Sequence, residues 1–330
     1  MTITHKIPTI DLQPYLDPNA THADRARTIQ EVRSACSQYG FLQVRGHGIP
    51  LSVQRGVLDS CKTLFGLPQE QKDALSLKSN PARRGYERIG EQVLDSKALP
   101  DCKEVRLHDP IVEFTRFSRR MQGFYIGREL PLKDLGFLKG PNQWPQLPES
   151  DFHAPVTEYY QHMLRLGKAL LEMLVIGLDH PVSVLETFTK EPVVNLKLLH
   201  YPPHLSKDAR QFGAGAHTDF GAITMLLQQP GKHGLQVYYE PTNEWLPVPA
   251  AEGIIIVNMG DLVRKWTDGR YSSTLHRVIN ISGGDRYSVP CFYQGDLSAT
   301  NPFKPGDESS ETVEEHIRRK FDQSYGLSAK

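Results

Sequence analysis

The chain of 330 residues is 39% hydrophobic and 23% charged, enough to bury a sizeable core in one large domain or two closely joined ones. Its 38 lysines and arginines balance 38 aspartates and glutamates, which argues against a nucleic-acid binder or a polybasic membrane-surface protein. The N-terminus lacks the charged start and apolar core of a secretory signal, and the longest apolar stretch, 169–178, is broken by Glu172 and too short to span a bilayer. Cys36, Cys61, Cys102 and Cys291 are scattered, with no Cys-x-x-Cys pair. They read as free thiols in a reducing, cytoplasmic location.

In chain order, Ile29, Val32, Cys36 and Tyr39 form a helical stripe over 24–39 that Gly40 closes. A short strand is expected at 41–44. Pro50 then opens a helix with Val53, Val57, Cys61 and Leu64 on one face. Residues 105–150 read as irregular, with Arg116, Arg119, Arg120 and Arg128 among aromatics and prolines, and are expected to form a lid or binding loop. A long helix over 155–177 would turn Tyr160, Met163, Leu164, Leu170, Leu171 and Leu174 inward. From residue 193 the period changes to two. Strands are expected at 193–201, 223–228, 235–239, 254–258, 277–280 and 286–292, separated by turns rich in Gly, Pro, Asn and Asp. The fold expected is therefore α+β with a mainly β core, a sandwich or jelly roll flanked by helices. The chain divides into an N-terminal region, 1–150, and a core, 151–330.

The segment from Gly215 to Gly221 carries the main chemical signal. If it lies on a strand, His217 and Asp219 face the same side and aim an imidazole and a carboxylate at one point. His276 offers a second imidazole. Two histidines and a carboxylate on one face of an octahedral metal leave three open positions, which suits ferrous iron that must also bind a co-substrate and O2. A lone His-x-Asp is weak evidence, and His22-Ala23-Asp24 is a second match. There Asp24 reads as a carboxylate in the first turn of a helix. Arg-x-Ser likewise occurs at Arg116, Arg270 and Arg286. The ordering separates signal from coincidence, because one His-x-Asp in the strand region is followed by His276 and then by Arg286-Tyr287-Ser288 on an expected strand.

Arg286 and Ser288 alternate onto one face of that strand. A guanidinium donates two parallel hydrogen bonds to a carboxylate, and a hydroxyl adds a third donor. Tyr201, on a neighbouring strand, could supply a phenol. Together they would hold the distal carboxylate of a dicarboxylate co-substrate. Taken singly, Arg286 reads more readily as a surface ion pair and Tyr201 as a core tyrosine; the ligand pattern beside them favours the clamp.

At this point the sequence resembles the iron(II) and 2-oxoglutarate dependent dioxygenase superfamily, in its isopenicillin N synthase-like branch. The resemblance runs through Ile7-Pro8-Thr9-Ile10-Asp11-Leu12, Gly40-Phe41-Leu42 to His47-Gly48-Ile49-Pro50, Leu64 to Pro68, Arg84-Gly85-Tyr86, Lys103-Glu104 and Asn142-Gln143-Trp144-Pro145. It continues through His217 to Thr224, Asn258-Met259-Gly260-Asp261-Leu262, His276-Arg277-Val278 and Arg286-Tyr287-Ser288. Among members the chain looks most like thymine hydroxylase and the microbial tailoring dioxygenases of secondary metabolite biosynthesis.

The resemblance implies a double-stranded β-helix, a distorted jelly roll with flanking helices and a helical N-terminal region. It implies iron(II) on His217, Asp219 and His276, and 2-oxoglutarate on Arg286, Ser288 and Tyr201, with O2 as second co-substrate and ascorbate as reductant. The reaction implied is oxidation of an unactivated C–H of a small organic molecule, by hydroxylation, desaturation or ring closure, with release of succinate and CO2. Lys197, Phe220 and Phe292 would line the substrate cavity. One departure stands out. Several relatives place Asn two residues before the matching tyrosine, where this chain has Leu199. Two other readings remain open at this level: an iron oxidase of the same fold that uses O2 without 2-oxoglutarate, and a non-catalytic jelly-roll protein with a structural metal.

Overall fold

The computed structural model describes residues 5–88, 121–203, 213–279, 283–307 and 309–325. Cys102, the Arg116 motif and residues 105–120 of the expected lid lie outside these.

The N-terminal part begins with β1 (Thr9–Asp11), α1 (Gln13–Leu16) and α2 (His22–Gln38). Thr21 caps α2: its hydroxyl accepts from the Asp24 amide at 3.1 Å and donates to the Asp24 carboxylate at 2.7 Å. The His22–Asp24 motif is thus a capping device, as expected. β2 (Phe41–Arg45), α3 (Leu51–Phe65), α4 (Gln69–Asp73) and β3 (Gly85–Glu87) follow.

The expectation of an irregular 105–150 segment needs correction over 122–127. These residues form β4 (Gln122–Gly127), paired along its length with β5 (Val193–Tyr201). Glycines at both ends of the run hid the strand from its side-chain pattern.

α5 (His153–Gly177) buries Tyr160, Met163, Leu170, Leu171 and Leu174 against the sheet and the N-terminal helices, with Leu164 half-buried. Each fully buried side chain of this size contributes roughly 1.5–3 kcal/mol over its exposed state.

Seven further strands complete the β core: β6 (Ala214–His217), β7 (Ile223–Gln228), β8 (Leu235–Tyr239), β9 (Glu244–Pro247), β10 (Ile255–Met259), β11 (His276–Val278) and β12 (Arg286–Gly295). All six strands expected from residue 193 onward are present. β6 and β9 were not expected. β6 reads Ala-Gly-Ala-His and has no β-branched residue to mark it. Eight strands form one sheet in the order β1-β2-β10-β7-β12-β5-β4-β3, and four form a second in the order β6-β11-β8-β9. The result is the helix-flanked, distorted jelly roll that the resemblance implies. Strands β1 to β4, from the first 150 residues, extend the larger sheet at both edges.

Two further helices lie among these strands and after them, α6 (Asp261–Trp266) between β10 and β11 and α7 (Val313–Tyr325) after β12. No described helix is long and apolar enough to cross a membrane.

Candidate active site

Between the two sheets lies a cavity whose walls are the inward-facing residues of β5, β7 and β12. His217, Asp219 and His276 meet there, with one ligand atom from each within 4.8 Å of the others. His276 is the direct cross-strand partner of His217, and their rings are 4.3 Å apart. Asp219 is placed differently from the sequence expectation. β6 ends at His217, so strand alternation does not aim the carboxylate.

A close-packed turn aims it instead. The Asp219 carbonyl accepts from the Asp261 amide at 2.8 Å, and the Gly260 amide donates to Ala222 at 2.8 Å. A side chain at Gly260 would collide with the Gly221 carbonyl, so only glycine allows this approach. The motif from Asn258 to Leu262 is therefore the support of the Asp219 turn.

Hydrogen bonds also fix which atoms face the centre. Carbonyls only accept, so Nδ1–H of His217 donates to Gly215 at 2.7 Å and Nδ1–H of His276 donates to Thr274 at 3.2 Å. Both imidazoles then turn the Nε2 lone pair toward Asp219 Oδ1, at 3.9 and 3.8 Å. The other Asp219 oxygen accepts from Thr224 Oγ1 at 2.6 Å and Asn258 Nδ2 at 2.8 Å. Burial pushes this carboxyl up, but the charge that His276 and His217 carry when protonated and the two hydrogen bonds outweigh it and hold the group below the usual range. An ionised carboxylate and two lone-pair nitrogens on one side of a point form a donor set that fits a divalent transition metal with open positions.

Farther along the cavity, Arg286 is fully buried and directly opposite Tyr201 in the β12–β5 ladder, its guanidinium 4.7 Å from the Tyr201 ring. Nη2 donates to Gln228 Oε1 at 3.0 Å and Nε to the Lys232 carbonyl at 3.3 Å. Burial lowers the pKa of this guanidinium, while Tyr201 counters the effect. Among the described residues, Nη1 of Arg286 and Nε2 of Gln228 are buried donors without an acceptor. Ser288, also buried, pairs with Gln228 on one side and Leu199 on the other. A buried cation with unsatisfied donors beside a hydroxyl fits a bound carboxylate.

Lys197, Phe220 and Phe292 all line the cavity. Lys197 Nζ is 2.6 Å from Glu87 Oε2, with both side chains buried, and 4.6 Å from the Tyr125 ring. The pair reaches from β5 to β3 over β4 because Gly123 leaves the space. A side chain there would come within 2.6 Å of Lys197 Cε. Phe321 of α7 closes another wall, packed on Phe220 and Phe137.

The sequence reading did not assign roles to Thr224, Gln228, Asn258, Glu87 or Phe321. Thr224 and Gln228 carry a signal in hindsight, since they alternate onto the inner face of a recognised strand. Phe321 carries none. The Arg-x-Ser decoy at Arg270 points elsewhere: its Nε donates to the Thr267 carbonyl, and Tyr271 is buried under α5, where its hydroxyl donates to Leu174 at 2.8 Å.

Comparison with known proteins agrees with this architecture. Residues 7–147 match the family described as non-haem dioxygenase in morphine synthesis N-terminal, and residues 191–295 match the 2OG-Fe(II) oxygenase superfamily. The chain is 49% identical to the 2-oxoglutarate-dependent dioxygenase caaD of Aspergillus niger, with 99% of this chain and 96% of caaD covered. It is 48% identical to the 2-oxoglutarate-dependent dioxygenase traH of Penicillium crustosum, covering 98% and 94%. Among solved structures, the full-length thymine hydroxylase of Neurospora crassa in complex with alpha-KG superposes with a TM-score of 0.79 at 23% identity, covering 96% of this chain and 95% of that one. This chain belongs to the iron(II) and 2-oxoglutarate dependent dioxygenases, whose cofactors are iron(II) and 2-oxoglutarate.

Proposed function

We propose that His217, Asp219 and His276 bind the iron(II), that Arg286, Ser288 and Tyr201 hold the distal carboxylate of 2-oxoglutarate, and that a small organic molecule is oxidised at a C–H bond in the space beyond. The observation that carries this reading is the pairing of two features in one cavity: a converging two-histidine, one-carboxylate set and a buried arginine with an unsatisfied donor. When bound, iron(II) supplies the redox chemistry by which O2 and 2-oxoglutarate oxidise the substrate, with succinate and CO2 as co-products.

The protein's own groups position and insulate. Asp219 is kept ionised by Thr224 and Asn258, and the two imidazoles are held in the Nδ1–H tautomer by main-chain carbonyls. Arg286 offers a planar fork in a site without bulk water, where a charged hydrogen bond is stronger than at the surface. Leu199, Leu226, Phe292 and Phe321 present apolar surface that keeps water from the reacting centre. Lys197, Phe220 and Phe292 form the substrate wall in this reading. Lys197 offers a buried, carboxylate-backed cation to a polar group of the substrate, and the rings pack its apolar body.

The test is a screen of small aromatic and aliphatic metabolites with iron(II) and 2-oxoglutarate, reading succinate and oxidised product together. Stoichiometric formation of both, lost in His217→Ala, supports the reading. Oxidation that proceeds without 2-oxoglutarate would replace it with the oxidase alternative.

A further inference from the structure

A polar relay, buried at His200 and half-exposed at Asp285, lies on the outer face of the larger sheet, directly behind Arg286 and Tyr201. The last two ladder pairs of β5 and β12 are Arg286 with Tyr201 and Tyr287 with His200. Successive residues face opposite sides, so Arg286 and Tyr201 face the cavity while His200 and Tyr287 face the helices. The two rings stack at 4.9 Å and 17°, and Phe65 of α3 lies 5.6 Å from the imidazole on another side. His200 Nε2 is 2.6 Å from Asp285 Oδ1, on the residue just before Arg286. His200 Nδ1 is 2.7 Å from Nε2 of Gln122, its cross-strand partner on β4.

The relay fixes the protonation state of His200. Gln122 Oε1 accepts from the Tyr86 hydroxyl at 2.7 Å and from Lys72 Nζ at 3.4 Å. The amide nitrogen of Gln122 is therefore the end that faces His200, and it can only donate. His200 Nδ1 must accept, so the ring proton sits on Nε2 and is donated to Asp285. Protonating Nδ1 as well would set two donors against each other, or flip Gln122 away from Tyr86 and Lys72. The charged and titratable groups around the ring are Asp285, Lys72, Tyr86 and Tyr287. Burial lowers the His200 pKa below the ordinary histidine value, Asp285 opposes this and Lys72 adds to it.

We propose that His200 and Asp285 are positioning residues for the co-substrate clamp, tying together from behind the two strand ends whose inner faces carry Tyr201 and Arg286. This rests on the reading of Arg286 and Tyr201 as the 2-oxoglutarate clamp. β5 ends at Tyr201 and β12 begins at Arg286, so the clamp residues occupy the terminal ladder pair, where ladders fray most easily. The lateral bond from His200 to Asp285 supplies at that end what further ladder bonds supply in mid-strand. It also makes 2-oxoglutarate binding sensitive to pH. Acid charges His200 as pH falls through its lowered pKa: the bond to Asp285 survives, but Nδ1–H is set against the Gln122 amide and the β5 end loses its side-chain tie to β4.

The experiment is anaerobic calorimetry of 2-oxoglutarate binding to the iron-loaded enzyme, with iron content measured for every variant and pH. Asp285 is half-exposed, so Asp285→Ala should fold. It should weaken binding about five- to tenfold, in line with the net worth of one half-exposed hydrogen bond. Asp285→Asn keeps an acceptor and should recover most of the loss. His200→Gln can accept from Gln122 and donate to Asp285 but cannot titrate. It should bind nearly as wild type at pH 7.5 and remove the weakening that wild type shows as pH falls below 6.5. Arg286→Lys runs as the control for the clamp itself. If Arg286→Lys weakens binding while Asp285→Ala does not, the positioning role is wrong and the clamp stands. If Arg286→Lys also binds as wild type, the clamp reading falls and this proposal with it. If wild type and His200→Gln weaken in parallel on acidification, the pH-sensitive part is overturned.

Discussion

His276 stands directly across from His217 in the β6–β11 ladder, with ring centroids 4.3 Å apart, so a single strand pairing brings two imidazoles to one point. Asp219 depends on a different device, the turn held by Asn258, Thr224 and the Gly260 approach. The two devices separate experimentally. His217→Ala and Asp219→Ala should lose most bound iron and all turnover while the fold survives. Asn258→Ala and Thr224→Val keep all three proposed ligands but release Asp219, and should weaken iron binding about ten- to a hundredfold. His22→Ala should change neither iron binding nor turnover. The measurement is iron retained after buffer exchange, and full retention in Asp219→Ala would sink the assignment.

Arg286 should be the residue that makes turnover depend on 2-oxoglutarate. Arg286→Lys keeps the charge and loses the two-point geometry, so the half-saturating concentration of 2-oxoglutarate should rise moderately. Arg286→Ala leaves a carboxylate buried without its cation, at a cost on the order of 3–5 kcal/mol. That corresponds to roughly a hundredfold to several-thousandfold in apparent affinity. Iron binding should hardly move. Succinate formation against 2-oxoglutarate concentration tests this, and an unchanged half-saturation in the alanine variant would remove Arg286 from the clamp.

How much of this was legible follows from where each signal lives. Strands such as Val193–Tyr201 and Ile223–Gln228 are rich in Val, Leu and Ile with turn residues at their ends, so the sequence marks them to the residue. β6 is four small or polar residues held by pairing with β11, and tertiary contact alone makes it a strand. The site shows the same division. His217, His276 and Arg286 announce themselves by residue type and order. Gln228 and Glu87 are ordinary polar residues whose roles arise from cross-strand register. Phe321 reaches the cavity only because α7 docks there, which no local pattern encodes.

That docking combines the buried Val313 and Ile317 with ionic contacts. Glu311 accepts from Arg319 at 3.0 Å through both carboxylate oxygens and from Lys265 at 2.9 Å, and Lys320 reaches Asp261 at 2.6 Å. Chiefly the Arg319 hydrogen bonds hold the Glu311 carboxyl down at about 2. A depressed carboxyl stabilises the fold above its ordinary pKa, and that contribution is lost as pH falls from about 4.5 toward 2. Solvent screens the cluster, so Glu311→Gln at pH 7 should cost only on the order of 1 kcal/mol. The loss should be smaller in high salt. Equilibrium unfolding at two ionic strengths measures it, and an equal loss at both would show that the contacts are not electrostatic.

The Lys197–Glu87 pair gives the sharpest test of the substrate wall. Both side chains are buried, 5% and 4% exposed, so removing one partner takes a charge from a site that water does not reach. Lys197→Met should therefore destabilise the enzyme, because Glu87 loses the buried cation 2.6 Å away. Glu87→Gln should cost less, since Lys197 keeps the Tyr125 face at 4.6 Å. The double variant, Lys197→Met with Glu87→Gln, should recover much of the stability lost by Lys197→Met alone, because the Glu87 charge is removed together with the Lys197 cation. Function should divide differently. If Lys197 grips a polar group of the substrate, the double variant stays stable and binds iron and 2-oxoglutarate as wild type, yet loses tight coupling of succinate to oxidised product. Denaturant unfolding gives the stability cycle, and the ratio of product to succinate gives the coupling. A double variant that is stable and fully coupled would reduce Lys197 and Glu87 to a packing pair. A double variant no more stable than Lys197→Met would mean that the single loss is one of shape and not of charge.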